Sequence, residues 1–324
     1  MAAIPSRPAT SSPRRRNCTP RSCGPCAAER AMSEPPSSPR SRTTRRAFLA
    51  TLAVGGAGLS AGAYARYAEP TWLEVSEIPI DPASFPAPRG LRILHLSDLH
   101  LGPHVSLDFI EEAVELGLAQ RPDLIALTGD FVTGRLREPA AYAAVLRRLA
   151  NAAPTFACLG NHDAIVAAGP VGEIARTAAV MGLMRLAQVD VLVNETREVA
   201  VRGGRVRVSG LGDLWTKQNH PARCLTPLRG VGREPLAHLL LNHNPDARAA
   251  TMAYHWDLML SGHTHGGQVG VPGVSEWLAP VKDKSHIEGL RRRAGRLIYI
   301  TRGVGSLYGV RFWSRPQVSL LVVG

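Results

Sequence analysis

Between residues 91 and 261 the chain repeatedly sets a short apolar run directly before a cluster of Gly, Asp, Asn and His. Leu91–Ser97 leads into Asp98-Leu99-His100, Asp123–Thr128 into Gly129-Asp130, and Thr155–Leu159 into Gly160-Asn161-His162-Asp163. Leu236–Asn242 leads into His243, and Asp257–Ser261 into Gly262-His263-Thr264-His265-Gly266-Gly267-Gln268. Runs this short, bounded by turn residues, read as buried strands. Strands are expected at Leu91–Leu96, Asp123–Leu127, Thr155–Leu159, Val189–Val193, Val206–Ser209, Leu236–Leu241, Asp257–Leu260, Leu297–Thr301 and Gln317–Val323. Helices are expected at Ser106–Gln120, where Leu107, Ile110, Val114 and Leu118 form one stripe, and at Pro139–Ala150, which opens on proline. The alternation predicts an α/β domain built from βαβ units, with more than one sheet.

The chain is long enough, at 324 residues with 45% hydrophobic, to bury a core by packing alone. Its five cysteines, at 18, 23, 26, 158 and 224, are too scattered to form a disulfide framework. The formal charge of +12 would suggest a polyanionic partner, but residues 1–66 hold eleven arginines and only Glu29 and Glu34, a net of +9. The excess charge belongs to the leader, so no nucleic-acid partner is expected.

That leader divides in two. Residues 1–43 are rich in Ser, Pro and Arg without apolar periodicity and are expected to be disordered. Met32 offers an alternative start, which would leave Cys18, Cys23 and Cys26 untranslated. Residues 44–66 carry Arg45-Arg46 ahead of Phe48-Leu49 and an uncharged Ala/Gly/Leu/Val stretch. This segment resembles a twin-arginine signal peptide, with Ala61, Ala63 and Ala65 suited to cleavage, and it is equally long enough for a retained membrane anchor. The resemblance implies the twin-arginine export machinery as a partner, and both readings place the folded domain, 67–324, at the cell envelope; an anchor facing the cytoplasm is the alternative.

In open α/β sheets the carboxyl ends of strands border the ligand crevice, so the five clusters are expected to meet in space. Carboxylate, imidazole and amide oxygen together suit Mn, Fe or Zn. Asp98, His100, Asp130, Asn161, His243, His263 and His265 make seven candidate ligands, too many for one four-coordinate ion and better matched to two ions sharing a carboxylate.

In order and spacing, Asp98-x-His100, Gly129-Asp130, Gly160-Asn161-His162-Asp163, His243 and Gly262-His263-x-His265 resemble the five blocks of the calcineurin-like metallophosphoesterases. The extended Gly-His-Thr-His-Gly-Gly-Gln block, the arginine-pair leader and Tyr299–Gly305 resemble its small bacterial branch of exported or membrane-associated phosphodiesterases, related to UDP-diacylglucosamine pyrophosphatases of lipid A synthesis. The resemblance implies a four-layer αββα sandwich of two mixed sheets with helices outside. It implies two divalent ions, one on Asp98, His100 and His265, the other on Asn161, His243 and His263, with Asp130 bridging. Ions about 3.5–4 Å apart would generate a bridging hydroxide for in-line attack on a phosphodiester or pyrophosphate. His162 would protonate the leaving oxygen, oriented by Asp163, which stands where many members carry Glu. The implied substrates are phosphorylated small molecules, lipids or cell-envelope polymers, with phosphomonoesters, phosphoproteins and a non-catalytic binding role as rival readings.

The remaining residues receive duller readings. His95, His104, His220, His238, His255 and His286 match no block and read as structural or surface groups. Cys158, inside an apolar run, reads as a small buried hydrophobe. Arg291-Arg292-Arg293 reads as a solvated turn, Gln268 as the start of a strand, and Arg302, just after a strand, as a phosphate contact.

Overall fold

The computed structural model describes residues 43–164, 170–228 and 236–324. Most of the basic leader, with Met32 and its three cysteines, lies outside them. The chain divides into two compact units, Met1–Thr51 and Leu52–Gly324. Helix α1 (Thr43–Ala63) overlaps Arg45–Thr71, a 27-residue helical stretch long and apolar enough to cross a bilayer by length and composition.

The larger unit holds two six-stranded sheets. The first contains β1 (Glu74–Ile80), β2 (Arg92–Leu96), β3 (Leu124–Leu127), β4 (Thr155–Ala157) and β5 (Asp190–Val191). The second contains β6 (Glu195–Val201), β7 (Gly204–Gly210), β8 (Ala237–Leu241), β9 (Leu258–Ser261), β10 (Gly289–Arg293) and β11 (Arg296–Ile300). The final strand, β12 (Gln317–Val323), returns to the first sheet, giving the orders β1-β12-β2-β3-β4-β5 and β10-β11-β9-β8-β7-β6. Both sheets are mixed: β2 through β5 run parallel with β12 antiparallel to β2, and β7, β8, β9 and β11 run parallel between antiparallel β6 and β10.

Side-chain alternation along the strands builds the layers. Ile93, Leu124 and Ala126 point into a core shared with Leu239, Leu241, Leu258 and Leu260 of the second sheet, so the sheets pack face to face. Their neighbours Leu94, Leu96, Ile125 and Leu127 point the other way. There they meet Ile110 and Val114 of α2 (Leu107–Ala119), Leu146 and Leu149 of α3 (Pro139–Ala152), and Leu183 and Met184 of α5 (Pro170–Ala187). The opposite outer face, carrying Leu240, Met259, Ile298 and Ile300, is covered by Leu225 and Trp256 and flanked by the one-turn helix α6 (Arg248–Thr251), a thinner layer than its counterpart. The caps follow the sequence: the Ser106 hydroxyl accepts the Phe109 amide at 3.2 Å, and Pro139 opens α3.

The three strands absent from the expected set are β1, β6 and β10, each at a sheet edge. Edge strands are solvated along much of their length, so they lack the continuous apolar run by which the interior strands are recognised. Arg291, Arg292 and Arg293 therefore lie in an edge strand and not in a turn; Arg292 pairs with Asp81 at 2.8 Å and Arg293 with Asp283 at 3.4 Å. His95 and Cys158 are buried as expected, with His95 Nε2 2.7 Å from the Thr128 hydroxyl.

Leu239 is fully buried at the junction of the sheets. Leu239→Ala is expected to lower unfolding free energy by about 2–5 kcal/mol, read from urea denaturation; a loss under ~1 kcal/mol would show that the inter-sheet core does not carry the fold.

Candidate metal centre

The strand ends from both sheets meet as expected. Asp98 and His100 follow β2, Asp130 follows β3, Asn161 opens the one-turn helix α4 (Asn161–Ala164) after β4, His243 follows β8, and His263 and His265 follow β9. All seven are buried. Asp98, His100 and His265 bring one donor atom each within 4.8 Å of one another, and so do Asp130, His243 and His263. Asp130 Oδ2 lies between the groups, 3.5 Å from His100 Nε2 and 3.2 Å from His243 Nε2, while its Oδ1 accepts the His162 amide at 2.7 Å. Asn161 Oδ1 is 3.1 Å from His243 Nε2.

Outer partners decide which ring nitrogen faces inward. His243 Nδ1 donates to the Thr128 carbonyl at 2.6 Å and His100 Nδ1 lies 2.7 Å from the Thr133 hydroxyl, so both turn Nε2 into the site. His263 is reversed: Nε2 donates to the Pro280 carbonyl at 3.1 Å and Nδ1 faces His243 Nε2 at 3.2 Å. His100 and His265 set their Nε2 atoms 3.1 Å apart. Lone pairs from several imidazoles aimed at one another and at carboxylates are the donor set a divalent cation satisfies.

The electrostatics ask for positive charge in the same place. Burial lowers His100 and His263 to about 3 and His265 well below its ordinary value, leaving neutral ligand-ready rings. Burial alone would also lower His243, but Asp130, by charge and hydrogen bond, and then Asp98 and Asp213 raise it to about 10. Asp98 is raised by burial and by repulsion from Asp130. Asp130, despite burial, is held well below the carboxylate range by His243, His100 and His162.

Building this cluster strains the backbone. Asp98, His100, Asp130, His263 and His265 all have φ between 50° and 69°, a left-handed conformation that few non-glycine residues adopt. Glycine makes the tightest approaches possible: a Cβ at Gly160 would overlap the Asp130 carboxylate, and one at Gly262 would overlap Ser97 and Asp98.

Three expectations change. Asp163, expected against the His162 ring, accepts the amides of Asp130, Phe131 and Gly160 at 2.8–2.9 Å, so its carboxylate ties the ends of β3 and β4 together. That task needs a short side chain close to the backbone, and burial with Asp130 nearby raises its pKa. Arg302 turns away: its Nη2 lies 3.3 Å from Glu74 and its Nε donates to the Arg315 carbonyl, because the edge strand β1 offers it a carboxylate. Gln268 ends a turn at φ 59°, its Oε1 accepting from Ser306. His162 is half-buried, its ring 4.9 Å from that of His100, and it lines the cavity above the centre.

Other contributors were not singled out in the sequence. Asp213 is buried beyond the end of β7 and helps raise His243; its place at a strand end is a signal that could have found it. Trp215 sets its ring edge-on to His263 at 4.6 Å. Arg311 is fully buried and donates to the carbonyls of Arg302, Gly303, Gly305 and Ser314. Nothing in sequence marks Trp215 or Arg311.

A family model for calcineurin-like phosphoesterases matches residues 91–267. Phosphodiesterase YaeI of Escherichia coli K12 is 41% identical over 283 residues, covering 86% of this chain and 98% of its own length. The metallophosphoesterase YkuE of Bacillus subtilis 168 is 30% identical over 292 residues, covering 87% and 98%. The UDP-2,3-diacylglucosamine pyrophosphatase LpxG of Chlamydia trachomatis serovar D is 26% identical over 307 residues, covering 80% and 91%. With the strand-end cluster in place and matches spanning nearly the whole length of these relatives, this chain belongs to the calcineurin-like phosphoesterase family and is a metal-dependent phosphoester hydrolase.

Proposed function

We propose that this chain is a phosphodiesterase working with two divalent cations at the cell envelope. The observation that carries the reading is Asp130, whose Oδ2 faces both donor groups and so serves a pair of ions rather than one. Asp98, His100 and His265 would hold the first ion; Asn161, His243 and His263 the second. Mn, Fe and Zn all suit this mixture of nitrogen and oxygen donors. Bound there, the pair supplies Lewis acidity to the phosphate oxygens and a more acidic water.

The protein's own residues do the rest. The buried carboxylates and imidazoles would hold the cations that face the phosphate, and the carbonyls of Thr128 and Pro280 fix the rings of His243 and His263. His162, placed by the bond from its amide to Asp130 and open to the cavity, gives a proton to the leaving oxygen. Asp163 positions His162 through the loop backbone. Arg45-Arg46 in the first turn of the apolar helix supports export by the twin-arginine route, with the envelope as the site of action.

The purified full-length chain is expected to hydrolyse bis(p-nitrophenyl) phosphate with added Mn, to lose this on chelation and to regain it when Mn is restored. Absence of turnover with every divalent metal tried would sink the phosphodiesterase reading. His162→Ala is expected to keep near-wild-type metal content while kcat falls by about 10²–10⁴. Asp130→Asn is expected to lose metal, measured by elemental analysis after gel filtration. Equal metal loss in the two variants would contradict the division of roles.

A further inference from the structure

The cavity above the metal centre has a volume of about 470 Å³ and two unlike halves. Asp130, Asn161, His162 and the histidines after β9 form its floor. Its walls are apolar, with Trp215, Leu278, Pro280, Leu307, Tyr308 and Val310. Trp215, Leu278 and Tyr308 are 49%, 42% and 69% exposed, large apolar surfaces left in water at the rim. Among the described lining residues there is no lysine or arginine. A substrate arm carrying a second phosphate would find no lysine or arginine among these lining residues to pair with, whereas an alkyl arm would cover surface that water now solvates.

A second observation comes from the other end of the chain. The segment that follows α1 is bonded into the loop 302–315, which supplies Leu307, Tyr308 and Val310 to the wall. The Ala65 carbonyl accepts the Arg311 amide at 2.9 Å, Arg66 Nη1 donates to the Gly309 carbonyl at 3.2 Å, and Tyr64 sets its ring edge-on to Phe312. Glu69 is fully buried, and its carboxylate accepts the amides of Trp313 and Ser314. Burying a carboxylate is costly without such bonds, and here both are made to this one loop. The apolar helix thus ends against the same loop that supplies Leu307, Tyr308 and Val310 to the cavity wall, although the residues that hold it are others of that loop.

We propose that the substrate is a membrane amphiphile: a phosphodiester with one long alkyl or acylglyceryl arm, drawn from the bilayer that holds the N-terminal helix and laid along the Trp215–Leu278–Tyr308 wall. This rests on the phosphodiesterase reading. In the reaction a water oxygen bonds to phosphorus and releases a proton to solvent, the P–O bond to the leaving arm breaks, that arm's oxygen takes a proton from His162, and His162 regains one from solvent. The products are a phosphate monoester and an alcohol.

The test uses the full-length chain in a maltoside detergent, with Mn, on p-nitrophenyl methyl, butyl and octyl phosphates. Burial of successive methylenes should raise kcat/KM by about tenfold or more from methyl to octyl. Octyl phosphate should bind about tenfold more tightly than methyl phosphate in titration calorimetry. Leu278→Glu and Tyr308→Ala should each cut the octyl-to-methyl ratio severalfold. A flat series, a ratio unchanged in both variants, or faster hydrolysis of UDP-glucose than of every alkyl diester would overturn the proposal. Bis(p-nitrophenyl) phosphate is the control: its turnover by the wild type with a flat alkyl series rejects the amphiphile alone, and its failure rejects the parent reading.

Discussion

Two carboxylates and four imidazoles, buried within a few ångströms of one another, impose the constraint on which this molecule depends. Taken from water, such groups repel or stay unsatisfied unless positive charge is placed among them. The protein answers by keeping His100, His263 and His265 neutral, by raising His243, and by bringing the inward donor atoms within a few ångströms of one another. Cation binding and electrostatic relief are therefore one event, and the same concentration of charge is what a phosphoester needs for hydrolysis.

Holding that arrangement takes rigidity. Five of the seven donor residues sit in left-handed backbone conformations, which persist only where surrounding bonds over-determine them. From outside the donor set, Asp163 spans the ends of β3 and β4 and Ser314 donates to the His265 carbonyl at 3.1 Å; within it, the Asp98 carboxylate accepts the His263 amide at 3.1 Å. The face-to-face sheets supply the platform, since parallel strands of both deliver their carboxyl ends to one edge.

The loop 302–315 connects this centre to the amino-terminal segment. Gly305 donates its amide to the Asp98 carbonyl, Arg311 gathers four carbonyls of the loop, and Glu69 fastens it from the far side. One loop thus supports the backbone of Asp98, forms part of the cavity wall and receives the end of the apolar helix.

What the sequence determined by itself was local: short apolar runs capped by Asp, Asn, Gly and His, whose chemistry suits a divalent-metal site and whose order resembles one family of hydrolases. The interior strands and the helices α2 and α3 were legible because burial on both faces or along one stripe leaves a periodic apolar trace. The edge strands β1, β6 and β10 were not, because a strand paired on one side only tolerates polar residues. Tertiary structure alone decided that Arg302 turns to Glu74, that Asp163 grips backbone amides, that Glu69 fastens the loop 302–315, and that Trp215 and Arg311 belong beside the centre. These are contacts between segments as much as 245 residues apart, and a side chain's partner across such a distance is set by packing geometry, of which residue type and spacing carry no record.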